Sequence, residues 1–524
     1  MNKNKINLLL VLLLSCFAGI ISISSHSIWV DEAIRIQYAN ISVENGYWQH
    51  QWGLHQMGLA HLQYIWSLLW GRSEVAYRML NVPFLVISVC YMLNILRKLN
   101  LSCWWALLLC IHPVVVYYMN DAGPYIILLA SSFALIYHCF FGAKEPWERD
   151  AFYALLWLLF GFCVHFIFGF AGVVYLYAYF LNTRGRKLLD WRRWETLLSV
   201  GVLGPILIYV AYRYAIDMSD GADRGWDKPG VMNLGAIGYA FLGLSGLGLP
   251  RNDLRMGNYH LISGEMIMLV VSALAAYTVI FLQNLRVWKK IVKSHFILAS
   301  CLLGIVFFAG AYCKNFHFWE RHYIFLFPAF IICLIWLIQA AWKNSHKGWN
   351  RCAVVLLMGI LLFSSGRLRW KSCYQKDDFK RAYACASSLG VFRDEIPILA
   401  QGYGFLYNYY ADVGIGKAWP YGGIGYGEPH PDIKGMIMTD LLTEKKFLEL
   451  IENVILDNSR ICLLLSSKAV SGNLFYENAE EKLISKGYCV DFSEAFNVFK
   501  VVIISRNSGI ERGPDILCVE KSGK

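Results

Sequence analysis

Blocks of uninterrupted apolar sequence, each close to the ~20 residues that cross a bilayer, recur between residues 8 and 366 and then largely stop. A chain so arranged has few options, because a long apolar run leaves water only by spanning a membrane. Composition agrees: 57% of the residues are hydrophobic and 16% charged, against roughly half and a quarter in soluble proteins, and the mean hydropathy is +0.43. A cytosolic enzyme, a disordered chain and a disulfide-stapled mini-protein are all excluded. The reading is an α-helical polytopic membrane protein.

The blocks fall at 8–23, 75–96, 102–119, 124–141, 150–164, 166–182, 195–216, 262–284, 295–313, 322–340 and 351–366, which predicts about eleven transmembrane helices. The first is read as a retained helix rather than a cleaved signal peptide, since its apolar run exceeds the usual ~7–15 residues and no Ala-x-Ala site follows. Charge tests the count. Lys3/Lys5, Arg97/Lys98, Lys144/Arg149, the group from Arg184 to Arg193, Arg286 to Lys293, and Lys343/Lys347/Arg351 all fall on one side if there are eleven spans. By the positive-inside tendency that side is the cytoplasm. The stretch 150–182 must then be two spans. These loops also account for the net charge of +11, so nucleic-acid binding is not implied.

This topology gives a cytoplasmic N-terminus, a membrane domain over 1–366, and an extracytoplasmic domain over 367–524. Loops 25–74 and 217–261 share the outer face. The tail has an α/β pattern, with helices expected at 378–389 and 444–456 and strands at 396–403, 461–465 and 498–504. Segment 414–431, rich in Gly, Pro, Tyr and Trp, lacks a phosphate-binding glycine spacing and reads as a loop. Of 15 cysteines, several lie inside apolar spans as small hydrophobes. Cys373, Cys385, Cys462, Cys489 and Cys518 lie in the tail, where an oxidising compartment would permit a bridge with at least one left over. No CxxC or His-rich metal spacing and no internal repeat is visible.

Chemistry is expected at the outer membrane edge, where ionisable residues from separate spans share one depth. Asp31 and Glu32 follow the first span; Asp121 sits in the turn Asn120-Asp121-Ala122-Gly123-Pro124-Tyr125 between the third and fourth; His165 lies between the fifth and sixth; Arg321 and Tyr323 open the tenth after Lys314; Arg78 lies one turn inside the second. Such groups are costly in a membrane, so several at one depth suggest a polar cavity rather than scattered helix caps. Carboxylates with cations suit glycosyl transfer from a lipid phosphate: one carboxylate deprotonates the acceptor while Arg and Lys stabilise the departing phosphate. A transporter carries similar groups, though nearer the bilayer midplane.

The order of these residues resembles the lipid-phosphate-sugar-dependent glycosyltransferases of the C-type fold, specifically the protein O-mannosyltransferase-like and lipid A aminoarabinose transferase-like group. Trp29-Val30-Asp31-Glu32 is similar to that family's W-x-D-E signature, Gly71 to Arg78 to its G-x-S-E-x-A-x-R segment, and Tyr117 to Tyr125 to its Y-x-x-E-A-R-P-Y motif. Glu320-Arg321-His322-Tyr323 resembles its E-R-Y segment, and Lys376-Asp377-Asp378 the entry to its exported domain. Two departures stand out: Asp121-Ala122-Gly123 lacks the family's arginine, and 60–64 lacks its Pro-Pro-Leu-Tyr-Tyr.

The resemblance implies an inverting glycosyltransferase of the inner membrane, moving a sugar from a polyprenyl-phosphate donor to a protein, lipid A or glycan acceptor, with no cofactor and no metal. It gives Asp31 as general base, Glu32 and Asp121 as its supporting acids, Arg321, Arg78 and Lys314 on the donor phosphate, and His165, Tyr125 and Tyr323 lining the pocket. Lys376 and Asp378 serve domain docking. The alternative is a transporter or flippase for a lipid-linked sugar.

Overall fold

The structure, a computed structural model, describes residues 3–24, 32–33, 35–36, 56–142, 147–183, 193–209, 212, 231–250, 254, 259–313, 320–343, 348–371, 374, 378–391, 396–400, 436–438, 444–466, 476, 478–496 and 499–506. Asp31, Lys314, Lys376 and segment 414–431 lie outside them. The chain divides into two compact units, Met1–His26 with Asp31–Gln375, and Lys376–Lys524 with Ser27–Val30.

The first unit is helical. Its main helices are α1 (Lys3–Ser22), α2 (Met57–Trp70), α3 (Asn81–Lys98), α4 (Tyr125–Ile136), α5 (Trp147–Val164), α6 (Gly264–Gln283), α7 (Leu285–Val292), α8 (His295–Cys313), α9 (Phe327–Lys343) and α10 (Gly348–Trp370). Among the described residues six helical stretches are long and apolar enough to cross a membrane: Lys5–Ser22, Glu74–Lys98, Gly264–Gln283, His295–Cys313, Glu320–Lys343 and Gly348–Trp370. Three shorter apolar helices, Tyr125–Phe141, Phe166–Asn182 and Trp194–Tyr209, coincide with three further expected spans. The remaining two differ for physical reasons. Block 102–119 breaks at His112-Pro113, where His112 accepts the Val114 N–H and proline starts a new helix. Block 150–164 falls in α5, whose first turn carries Glu148 and Asp150.

The helices carry the marks of an apolar solvent. Leu9, Leu13, Phe17 and Ile20 of α1 are exposed while Val11 and Ser15 are buried, so the helix turns its bulkiest side chains outward. Small polar residues bond the carbonyl one turn back instead of seeking water, as in Ser15 to Val11, Ser132 to Leu128 and Ser300 to Phe296. Trp349 and Trp370, at 78% and 77% exposure, mark the two ends of α10. At 1.5 Å per residue they stand about 31 Å apart, close to the thickness of a hydrocarbon core, as interfacial tryptophans should.

One close contact fixes the C-terminal part of α10. Gly243, at φ +73°, turns the chain after Val231–Phe241, and Ser364 of α10 both donates to Gly243 O at 2.7 Å and accepts from Gly246 N at 3.1 Å. A Cβ on Gly246 would strike the Ser364 backbone, whereas one on Gly235 meets nothing. Gly246→Ala is therefore expected to cost about 1–3 kcal/mol and Gly235→Ala to be neutral or better, compared by thermal unfolding of the purified protein.

The second unit is a small α/β fold. A five-stranded sheet runs β2-β1-β3-β5-β4, from β1 (Ile398–Ala400), β2 (Met436–Met438), β3 (Arg460–Ser466), β4 (Tyr488–Phe496) and β5 (Phe499–Arg506). β1 pairs parallel with β2 and β3, while β3, β5 and β4 pair antiparallel. Helices α11 (Phe379–Ser388), α12 (Glu444–Asp457) and α13 (Ala479–Ser485) complete it. Ile461, Leu463, Leu465, Val502 and Ile504 pack with Phe447, Ile451 and Leu483. The alternate residues Cys462, Leu464, Val501 and Ile503 are buried too, so the sheet is covered on both faces. Asp378 caps α11, accepting the Arg381 N–H.

Cys385, Cys462 and Cys489 are unbridged; Cys373 and Cys518 lie outside the described residues. Burial, together with the Glu494 carboxylate 3.8 Å away, pushes the Cys385 thiol up to about 11, which leaves it protonated and unreactive at neutral pH. Glu494→Gln removes the charge contribution, so alkylation of Cys385 by iodoacetamide at neutral pH is expected to be slow and to quicken in that variant.

Candidate functional site

Two ion pairs converge on the turn at 120–124. Glu32, fully buried, receives a fork from Arg78: Nε donates to Oε1 at 3.2 Å and Nη2 to Oε2 at 3.1 Å. The same Oε1 accepts the backbone N–H of Ala122 at 2.7 Å, and Arg78 Nη1 donates to Ser24 O at 2.9 Å. One buried pair thus ties the end of α1, the entry to α3 and the turn together.

Beside it, Arg35 Nη1 donates to Asp121 Oδ1 at 3.2 Å and Nη2 to the Tyr125 hydroxyl at 3.1 Å. Its guanidinium carbon stands 5.5 Å from the centroid of the Tyr125 ring, a cation–π arrangement. Amides hold the backbone of the turn. Asn81 Nδ2 donates to Asp121 O at 2.8 Å and Gln63 Nε2 to Ala122 O at 2.6 Å. Gly123 is what makes room: a Cβ there would stand 2.5 Å from Asp121 Oδ1 and 2.8 Å from Arg35 Nη1. Arg35, from another stretch of chain, thus places its guanidinium directly against position 123.

The other expected pocket residues are tied to this turn through α2. Gln63 of α2 reaches Ala122, and at the helix start the Cβ position of Gly58 lies 2.8 Å from the backbone carbon of Cys163. Two residues on, His165 Nδ1 accepts the Ile167 N–H at 3.2 Å and opens the 3₁₀ segment Phe166–Ala171. Phe170 of that segment packs edge-on against Phe307, and Phe307 against Tyr323, with centroids 5.1 and 4.8 Å apart. Tyr323 belongs with Glu320 and Arg321 to the 3₁₀ segment Glu320–Leu326, which packs on α4 and on Phe166–Ala171.

Glu32, Asp121 and Tyr125 are therefore brought together, and His165, Arg321 and Tyr323 lie on neighbouring elements. Arg78 is 1% exposed and gives its guanidinium to Glu32 and Ser24 O. Arg35 and Gln63 were not singled out in sequence. Arg35 could have been found from its spacing, four residues after Asp31 and three after Glu32, which shares a helical face.

Chemically, the site offers acidic oxygens held at fixed positions by guanidinium and backbone donors, a preorganisation that suits charge development in a low-dielectric setting. Among the described residues no cluster of three or more His, Cys, Asp or Glu has the arrangement of a metal site. No family model matches the chain, and no curated protein matches it.

Proposed function

We propose that the protein is an inverting glycosyltransferase of the C-type architecture, with eleven spans, a cytoplasmic N-terminus and the C-terminal unit outside the cytoplasmic membrane. It moves a sugar from a polyprenyl-phosphate donor to an acceptor hydroxyl or phosphate on a protein, lipid A or glycan. The observation that carries the reading is the convergence of Glu32, Arg78, Arg35, Asp121 and Tyr125, drawn from three separate stretches of chain, into one buried charged network. Ionisable groups buried in a membrane bundle are costly and point by default to a functional site.

In this reading Asp31, the covalent neighbour of Glu32, takes the proton of the acceptor hydroxyl as its oxygen bonds to the anomeric carbon. The bond from that carbon to the phosphate oxygen breaks, and its electron pair leaves with the polyprenyl phosphate. Arg321, with Lys314 beside it in sequence, neutralises the phosphate. Glu32, Arg78, Asp121 and Arg35 hold the loop that carries the base, while His165, Tyr125 and Tyr323 line the sugar pocket. Neither a cofactor nor a metal enters the scheme.

The test is mass spectrometry of envelope glycans and lipid A from cells lacking the gene, complemented by wild type or by Asp31→Ala. A sugar mass restored by wild type alone supports transfer and identifies the acceptor; full rescue by Asp31→Ala rejects it.

A second reading, a transporter or flippase for a lipid-linked sugar, draws on a separate half-buried chain of side chains. Trp157 Nε1 donates to the Tyr91 hydroxyl at 3.0 Å, Tyr91 lies 3.3 Å from His138 Nε2, and His138 Nδ1 lies 2.9 Å from Asp150 Oδ1. Asp150 is 7% exposed, and its other oxygen is buried without a hydrogen bond. Such acid–imidazole pairs serve proton relays in transporters. The readings separate on correctly folded Asp150→Asn: loss of lipid translocation, with no sugar transfer by wild type or variant, favours transport, and sugar transfer equal to that of wild type favours the transferase.

A further inference from the structure

The connector between two membrane-length helices is itself ordered in an unusual way. α7 lies between α6 and α8 and presents Arg286, Lys289, Lys290 and Lys293 at spacings of three, one and three, a single stripe along one face. All four are exposed, and none has an ion-pair partner among the described residues. The opposite face is anchored: Ile291 is fully buried, Val287 and Trp288 pack on the main core, and Trp288 meets Phe281 edge-on at 5.3 Å. Along one flank of the stripe, Leu285 and Val292 are 42% and 38% exposed.

Keeping a loop in the cytoplasm requires only that the charges be present. Here a helix docked on α9 through its apolar side fixes four cations in a row, with neighbours about 5–6 Å apart. The exposed apolar flank lies beside them. A soluble anion or an acidic protein would answer the cations but leave Leu285 and Val292 in water. A lipid answers both, with its headgroup phosphate on the stripe and its acyl chain along the flank.

We infer that α7 is a binding surface for anionic phospholipid headgroups in the leaflet on which it lies. The inference rests on the membrane character of the protein and not on glycosyl transfer. It is tested with the full-length chain in nanodiscs of phosphatidylcholine alone or with phosphatidylglycerol added, following the thermal midpoint. Wild type is expected to gain stability with phosphatidylglycerol, less so at high salt. The variant Arg286→Gln/Lys289→Gln/Lys290→Gln/Lys293→Gln should lose most of that gain, Lys289→Gln/Lys290→Gln about half, and Arg97→Gln/Lys98→Gln little. An equal gain in the fourfold variant overturns the proposal, as does a wild type indifferent to phosphatidylglycerol or one stabilised equally by soluble glycerol phosphate. The two-residue variant keeps the test decisive should the fourfold one misfold.

Discussion

Arg78→Met is expected to destabilise the protein by about 3–5 kcal/mol, the cost of stranding one member of a buried ion pair. Glu32 has no exposed surface, so without the guanidinium its charge would lose the fork to both oxygens while keeping the Ala122 N–H. Arg78→Lys should restore little, because an ammonium cannot reproduce the fork that reaches both carboxylate oxygens and Ser24 O together. The double variant Glu32→Leu/Arg78→Met removes both charges, and most of the loss should return even though the Ala122 N–H goes unpaired. Unfolding in detergent of purified wild type, Arg78→Met, Glu32→Leu and the double variant measures the cycle. A single variant within about 1 kcal/mol of wild type would mean that the pair is not structural.

Asp31→Asn is expected to cut sugar transfer by about 10²–10⁴-fold, the usual contribution of a positioned general base. An amide matches the carboxylate in shape and cannot take a proton, so the loss should fall on kcat while KM and the thermal midpoint hold. Asp121→Asn reads differently. It weakens the ion pair with Arg35, which is 10% exposed, so both stability and rate should decline, and neither as steeply as in the stronger case of each kind. Equal losses of rate at Asp31 and Asp121 would deny Asp31 its separate role.

Much of the architecture was legible because its signals are local. Apolar runs mark spans within a window of twenty-odd residues, and the unbroken apolar run Ile461–Leu465 marks a central strand, whereas the break at Pro113 inside the block at 102–119 was not foreseen. Helix α2 escaped notice inside an expected loop. Its 14 residues are too few to cross a bilayer, and His61 and Gln63 interrupt the apolar pattern. Strand β4 was missed for the converse reason: it is largely exposed and carries Asp491, Ser493 and Glu494, so its composition is that of a loop.

The site divides in the same way. Asp31, Glu32, Asp121 and Tyr125 stand out as polar groups flanking apolar blocks. Their partners do not, since the pairing of Glu32 with Arg78 joins positions 46 apart and that of Arg35 with Asp121 joins positions 86 apart. For Arg78, sequence reveals a charge at a helix end without revealing what holds it. The need for glycine at 123 was equally hidden, because the arginine that crowds it comes from another segment.

The most direct measurement is made on purified protein in proteoliposomes carrying a polyprenyl-phosphate sugar and a hydroxyl acceptor, following release of free polyprenyl phosphate with formation of the glycosylated acceptor. The account predicts stoichiometric release and transfer by wild type and essentially none by Asp31→Asn of equal fold. Movement of the lipid-linked sugar between leaflets without cleavage, or equal transfer by both proteins, would contradict it.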